Sequence, residues 1–197
     1  MRKRFTLIVF LLILVLGLSA QVSINHNATV VITATPKANA VFVKWSDGVT
    51  SNPRTITMDK DYSLTAIFEK KSYTLTTSAS PTVGGTVTAG GSVEYGATKS
   101  LTATPATGYS FSKWAVSGTG ASLSSTTAAT TTFTMGTTNA TVTAEFSANH
   151  YTINGEEHEY GEEVTLTAAT KDCYHFVSWN DGNTDNPRTI TVTGDAI

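Results

Sequence analysis

Cysteine occurs once in the 197 residues, at Cys173. A single cysteine forms no internal disulfide, so packing alone must hold the chain together. Charge is also scarce. Only 14% of residues are charged, and 13 Lys and Arg nearly balance 15 Asp and Glu for a net charge of -2. That balance excludes the basic surface that nucleic acid requires. Runs of Leu, Glu and Lys are almost missing, and no segment beyond residue 20 has a convincing helical period. Gly-x-Ser-x-Gly, a P-loop and a paired-carboxylate pattern are all absent as well, which removes the usual sequence signatures of an enzyme.

What is abundant is Thr, at 37 of 197 residues, together with Val, Ser and Gly. Thr and Val suit a pleated, half-buried surface, so the composition reads as all-β. The first twenty residues stand apart. "MRKRF" is basic, and "TLIVFLLILVLGLSA" is apolar and ends in small residues before Gln21. This is the form of a secretory signal-peptide helix over residues 1–20, with cleavage after Ala20 and export as the consequence. The run is short for a membrane span. No Cys follows it, which excludes a lipid-anchored lipoprotein.

Self-comparison uncovers a repeat. "ITATP" at Ile32 returns as "LTATP" at Leu101 and "LTAAT" at Leu166. "FVKW" at Phe42 returns as "FSKW" at Phe111 and "FVSW" at Phe176, with the same shifts of 69 and then 65 residues. "LTAIF" at Leu64 returns as "VTAEF" at Val142, after a Thr/Ser/Ala-rich insertion near 117–131. "WSDGVTSNPRTITM" at Trp45 and "WNDGNTDNPRTITV" at Trp179 are the same turn in two copies. Val142, Ala144 and Phe146 alternate with Thr141, Thr143 and Glu145, the period of a half-buried strand, and Val164, Leu166 and Ala168 do likewise. Asp47-Gly48, Gly84-Gly85, Gly90-Gly91 and Tyr95-Gly96 supply turns between strands. Three units result: residues 21–71, which lack an opening hairpin; 72–147, which are complete; and 148–197, which lack the final strand.

"YTLTTSASPTVGGTVT", "YGATKSLTATPATGYSFSKW" and "NATVTAEF", in that order, resemble the divergent internalin-type B-repeat, related to the Listeria–Bacteroides repeat of bacterial surface proteins. The resemblance covers residues 22–197 and is strongest over 72–147. It implies β-grasp-like or related small β-sheet units in tandem on an exported protein, serving as stalks or adhesion modules. Cys173 departs from the pattern, standing where the middle unit has Gly108.

Several residues invite a functional reading. Trp45, Trp114 and Trp179 hold one equivalent position and would suit sugar stacking, but recurrence in every unit better suits a core or rim anchor that closes each small sheet. Arg54 and Arg188 recur in the Asn-Pro-Arg turn and would suit a shared ligand or partner contact, or a surface ion pair. "DGNTDN" from Asp181 opens like a calcium loop, but Asn186 stands where that loop needs Gly and Val192 where it needs Glu. "GEEHEYGEE" from Gly155 lacks the second His of a zincin and reads as an acidic hairpin. Cys173 and His175 would share one face of a strand, with no third group to order them.

The expectation is a non-enzymatic exported spacer or adhesion module without cofactor or metal, located outside the cell or on its surface. A carbohydrate-binding module using the Trp positions is the alternative. The partner would be a protein or glycan at the cell surface, with no nucleic acid and no membrane after signal cleavage. The third unit, short of a strand, should expose an edge that favours self-association.

Overall fold

In a computed structural model, the chain is described at residues 4–11, 18–169 and 171–194, with side chains from residue 24 onward. It divides into two compact units, residues 1–73 with 92–97, and residues 74–91 with 98–197. Both are built from small β-sheets, and the helical structure described is one 3-10 turn, Thr82–Gly84.

The first compact unit carries β1 (Arg4–Leu11), β2 (Leu18–Asn25), β3 (Thr29–Ile32), β4 (Ala40–Trp45), β5 (Arg54–Thr57) and β6 (Tyr62–Lys70). The strand order of its main sheet is β2-β1-β6-β4, and β3 pairs with β5 in a second, two-stranded sheet. Apolar residues alternating along β3, β5 and β6 enclose Ile32, Ala34, Trp45, Ile56, Met58, Leu64 and Ala66. The helix expected within residues 1–20 is corrected here: 4–11 and 18–20 are extended. A short apolar run bears no pattern that separates strand from helix. β1 finds backbone partners along β6, in parallel register from Leu7↔Tyr62 to Leu11↔Ala66. Residues 12–17 of the expected signal lie outside the described ones.

Residues 72–148 form β7 (Ser72–Ser80), β8 (Gly85–Val87), β9 (Gly91–Glu94), β10 (Thr98–Pro105), β11 (Tyr109–Ser117), β12 (Ser122–Leu123), β13 (Thr130–Thr134) and β14 (Ala140–Ala148). β14 lies antiparallel to β11 and parallel to β7. β6 has the same two kinds of neighbour, β4 antiparallel and β1 parallel. The apolar N-terminal strand thus takes, in the first repeat, the place that β7 takes in the middle one. Leu101, Phe133, Val142, Ala144 and Phe146 are buried, and the Thr and Glu between the last three are more open, as the alternation requires.

The third repeat is thinner. It has β15 (His150–Ile153), β16 (Glu156–Glu159), β17 (Glu163–Leu166) and β18 (Arg188–Thr191), paired as two hairpin-like sheets. Its buried apolar residues are Ile153, Leu166 and Val192, with Tyr151, Val164, Trp179 and Ile190 packed against them. Among the described residues no strand plays the part of β6 or β14 for this repeat.

Candidate functional site

The recurring turn begins where a strand ends on Trp45. Asp47-Gly48 reverses the chain: Gly48 sits at φ 90, a left-handed conformation open to glycine. The Gly48 N–H donates to Trp45 O at 2.8 Å, and the Trp45 N–H donates to Val49 O at 2.8 Å. The Trp45 indole N–H then donates to Ser51 O at 3.0 Å. Asn52 clamps the turn onto the neighbouring strand end, accepting from Ala34 N at 2.8 Å and donating to Ala34 O at 2.7 Å. Arg54 closes the turn. Its Nη1 donates to both Asp47 carboxylate oxygens, at 2.8 and 2.9 Å, and its guanidinium lies 5.9 Å from the Trp45 ring centre.

The third repeat builds the same turn from the same residues. Gly182 has φ 86, and the Trp179 indole N–H donates to Asp185 O at 2.7 Å. Arg188 Nη1 donates to Asp181 at 2.8 and 2.6 Å, and its guanidinium stands 5.3 Å from the Trp179 ring centre. Asn186 Oδ1 accepts from Ala168 N at 2.8 Å. The Asn–Pro bond is cis in both copies. Arg188 Nε is buried without a hydrogen-bond partner among the described residues.

Electrostatics follow from this pairing. Burial opposes ionisation of Asp47 most strongly, yet the Arg54 hydrogen bond, the Val49 N–H and the Arg54 charge act against it, and the carboxyl lies below its ordinary value. At Asp181 the Arg188 hydrogen bond is the largest cause and the Asn183 N–H the next, and both lower the carboxyl. The Asp181 carboxylate is thus engaged by Arg188, while Asn183 Oδ1 accepts from Asp185 N at 2.8 Å. Among the described residues no three His, Cys, Asp or Glu converge as metal ligands.

The middle repeat has Trp114 but neither Arg nor Asp-Gly. Its insertion does their work: the indole N–H donates to Ala128 O at 2.8 Å, and the Trp114 backbone N–H donates to Thr126 O at 2.7 Å. Thr131, buried, pins the insertion by donating to Ser125 O at 2.7 Å. Trp45 and Trp114 are 0% and 3% exposed, so neither offers an open ring face for stacking. Trp179 is half-buried, as are Phe42, Phe111 and Phe176. Each Phe instead tilts against its Trp at the rim, with centroids 5.3 or 5.4 Å apart. Cys173 and His175 are both exposed. In the acidic hairpin His158 Nδ1 and Glu162 Oε1 are 3.0 Å apart, and that hydrogen bond lowers the Glu162 carboxyl.

A second recurring arrangement escaped the sequence reading. Within the first compact unit, the Lys71 N–H donates to Asn39 O at 2.9 Å and the Tyr95 N–H to Lys71 O at 2.8 Å. Within the second, the Asn149 N–H donates to Gly108 O at 2.8 Å and the Tyr160 N–H to Asn149 O at 2.8 Å. Asn39, Gly108 and Cys173 share one repeat position and all have positive φ, at 62, 79 and 67. Each of these bond chains links the end of one repeat to the opening of the next. The recurring Tyr-Gly pairs, Tyr95-Gly96 and Tyr160-Gly161, were the available signal.

The chain matches the divergent InlB B-repeat domain three times, over residues 17–72, 73–150 and 151–196. Neither a curated protein nor a solved structure matches it. Domains of this family are typically non-catalytic and typical of exported or surface bacterial proteins. Three matches in succession account for nearly all of the described residues, and they coincide with the phrases, turns and junctions that recur in the structure: the chain belongs to the divergent InlB B-repeat family.

Proposed function

We propose that this chain is a non-enzymatic spacer and adhesion module, exported by its N-terminal segment and displayed outside a bacterial cell. One observation carries the reading: the most distinctive residues of the repeat are consumed in building it. The Trp45 and Trp179 indole N–H groups each cap a carbonyl of their own turn, and Arg54 and Arg188 are held by Asp47 and Asp181. A side chain held by its own turn has little left for substrate or ligand, whereas a unit that must be repeated needs just such closure. What remains outward is a strand surface rich in Thr, suited to many weak polar contacts with a surface partner.

Two measurements test this together. The purified chain, titrated with a glycan panel, should leave the Trp emission unchanged, and a hydrolase panel should show no turnover. A glycan that shifts the emission, with the effect lost in Trp179→Ala, would install the carbohydrate-binding reading instead. Turnover that disappears on changing Cys173 or His175 would make the chain an enzyme.

A further inference from the structure

Tension reaches a tandem repeat through the chain on either side of it, so its resistance depends on where that chain enters and leaves. The middle repeat is entered at β7 from the first repeat and left at β14 into the third. These two strands are neighbours and run parallel, paired from Ala140↔Leu75 to Glu145↔Ser80. The incoming chain therefore joins the ladder at its Leu75 end. The outgoing chain departs from its Glu145 end, five residue steps further along, roughly 16 Å. A pull between the two draws β7 and β14 past each other. Backbone hydrogen bonds in a parallel pair cross between the strands at even spacing, so such a pull shears them together instead of breaking them in turn.

Side chains reinforce this ladder. Asn139 Oδ1 accepts from Thr74 N at 2.9 Å, which extends it by one rung at the entry end. The hydroxyls of Ser78 and Thr143 bond across it at 2.9 Å. On the core side Leu75, Ala140, Val142 and Ala144 are all buried, which keeps water from competing for the backbone groups there. The other edge of β14 is held by β11, from Tyr109↔Ala148 to Ser117↔Thr141, so β7 is the strand that has to slide. The hairpin of β15 and β16 in the third repeat has the opposite geometry. His150 lies opposite Glu159, so the chain enters and leaves at the same end, and tension peels its rungs one at a time.

We propose that the middle repeat is a load-bearing link, in which β7 and β14 form a clamp that keeps the spacer folded when the chain is pulled along its length. Unfolding under force is governed by the height of the unfolding barrier and not by equilibrium stability. A barrier made of bonds that must give together is high in the one direction that the chain's own neighbours load. In a direction that peels the same bonds, it is low. The proposal rests on the spacer reading and adds load to it. A passive spacer survives its failure, whereas the glycan and hydrolase measurements bear on the functional reading and leave the clamp untouched.

The whole chain, with Cys173→Gly to remove its native thiol, is tethered through pairs of exposed side chains changed to cysteine and held at constant force. Ser72→Cys with Ser147→Cys loads the ladder in shear, as the chain itself does. Ser72→Cys with Thr138→Cys loads it at one end and peels it, and Thr74→Cys in place of Ser72→Cys repeats both geometries from a second exposed point. In shear the repeat should open in one step that releases about 230 Å of contour, the extended length of residues 72–147 less their folded span. At equal force its lifetime should be at least about a hundred-fold longer in shear than in peeling, the effect on a barrier of two hydrogen bonds that break together. Asn139→Ala removes the Thr74 rung and should shorten the shear lifetime by about ten-fold. Equal lifetimes in the two directions overturn the proposal. So does opening in a series of smaller steps under shear, because the ladder then yields rung by rung. A shear lifetime that Asn139→Ala leaves unchanged also overturns it, since the load then runs through other bonds.

Discussion

Trp114→Ala removes an indole that is 3% exposed, tilted against Phe111 at 5.3 Å and bonded to Ala128 O at 2.8 Å. Truncating a buried aromatic costs about 3–5 kcal/mol through lost burial and the cavity left behind. The Ala128 carbonyl, left unpaired inside the insertion, adds about 1 kcal/mol. The sum is comparable with the entire stability of a small domain, about 5–15 kcal/mol. The middle repeat should therefore be largely unfolded near physiological temperature. Trp179→Ala removes a ring that is only half-buried and whose face has no covering strand among the described residues, so about half the burial is at stake, roughly 1–2.5 kcal/mol. Amide exchange followed peptide by peptide through a urea series separates the two cases, because it reports each repeat by itself. Protection over 98–146 should collapse in Trp114→Ala, while Trp179→Ala should lower protection modestly over 160–192. Equal losses, or a Trp114→Ala chain with an unshifted midpoint, would refute the assignment of Trp114 as an internal anchor.

Gly108→Ala puts a Cβ into the Tyr160 ring at φ 79, and should loosen the 149–160 segment by about 1–3 kcal/mol, read as faster exchange there. Asp47 and Asp181 are both held below the usual carboxyl range, so the folded chain takes up their protons less readily than the unfolded chain. Their stabilisation is then full above about pH 4 and is lost as pH falls through the lower folded-state values. A melting temperature that declines through that acid range in the native chain, and declines less in the Asp47→Asn, Asp181→Asn double variant, is the expected outcome. Arg54→Ala removes the ion pair with Asp47 and the cation over Trp45, and should cost about 1–2 kcal/mol by urea titration. Export followed by cleavage after Ala20 should leave a secreted chain whose mass corresponds to a start at Gln21. A secreted chain retaining residues 1–20 would remove the signal-peptide reading.

All-β architecture, three copies and the alternating core of the middle repeat could be read before any coordinates, because each rests on local regularity. Thr and Val report a pleated surface, and Val142, Ala144 and Phe146 at every second place report its buried side. Recurrence in every copy pointed to Trp45 and Trp114 as the residues on which a small unit closes, and both are buried, whereas Trp179 is only half-buried. The N-terminal run was not readable in this way. Its apolar residues satisfy strand and helix alike, and its parallel pairing with β6 depends on residues more than fifty positions away. The rim position of the Phe rings was equally hidden, because burial there depends on how far the partner strand reaches.

The slot shared by Asn39, Gly108 and Cys173 shows why identity can mislead where geometry repeats. By letters the three positions differ, and Cys173 stands out as a departure with a reactive group. By backbone they agree: each adopts positive φ, which Gly accepts freely and Asn more readily than most side chains. In the first two copies that conformation turns the carbonyl toward an N–H at the junction with the next repeat, that of Lys71 or Asn149. Cys has no intrinsic preference for such a conformation, so its presence at φ 67 is carried by the repeat around it and not by the residue itself. That places Cys173 with the junction geometry. Cys173→Gly should then hold or raise stability by about 1 kcal/mol, relieving a left-handed strain, whereas a thiol with a contact role of its own would show a loss. A urea midpoint that falls in Cys173→Gly would return the residue to the candidate contacts.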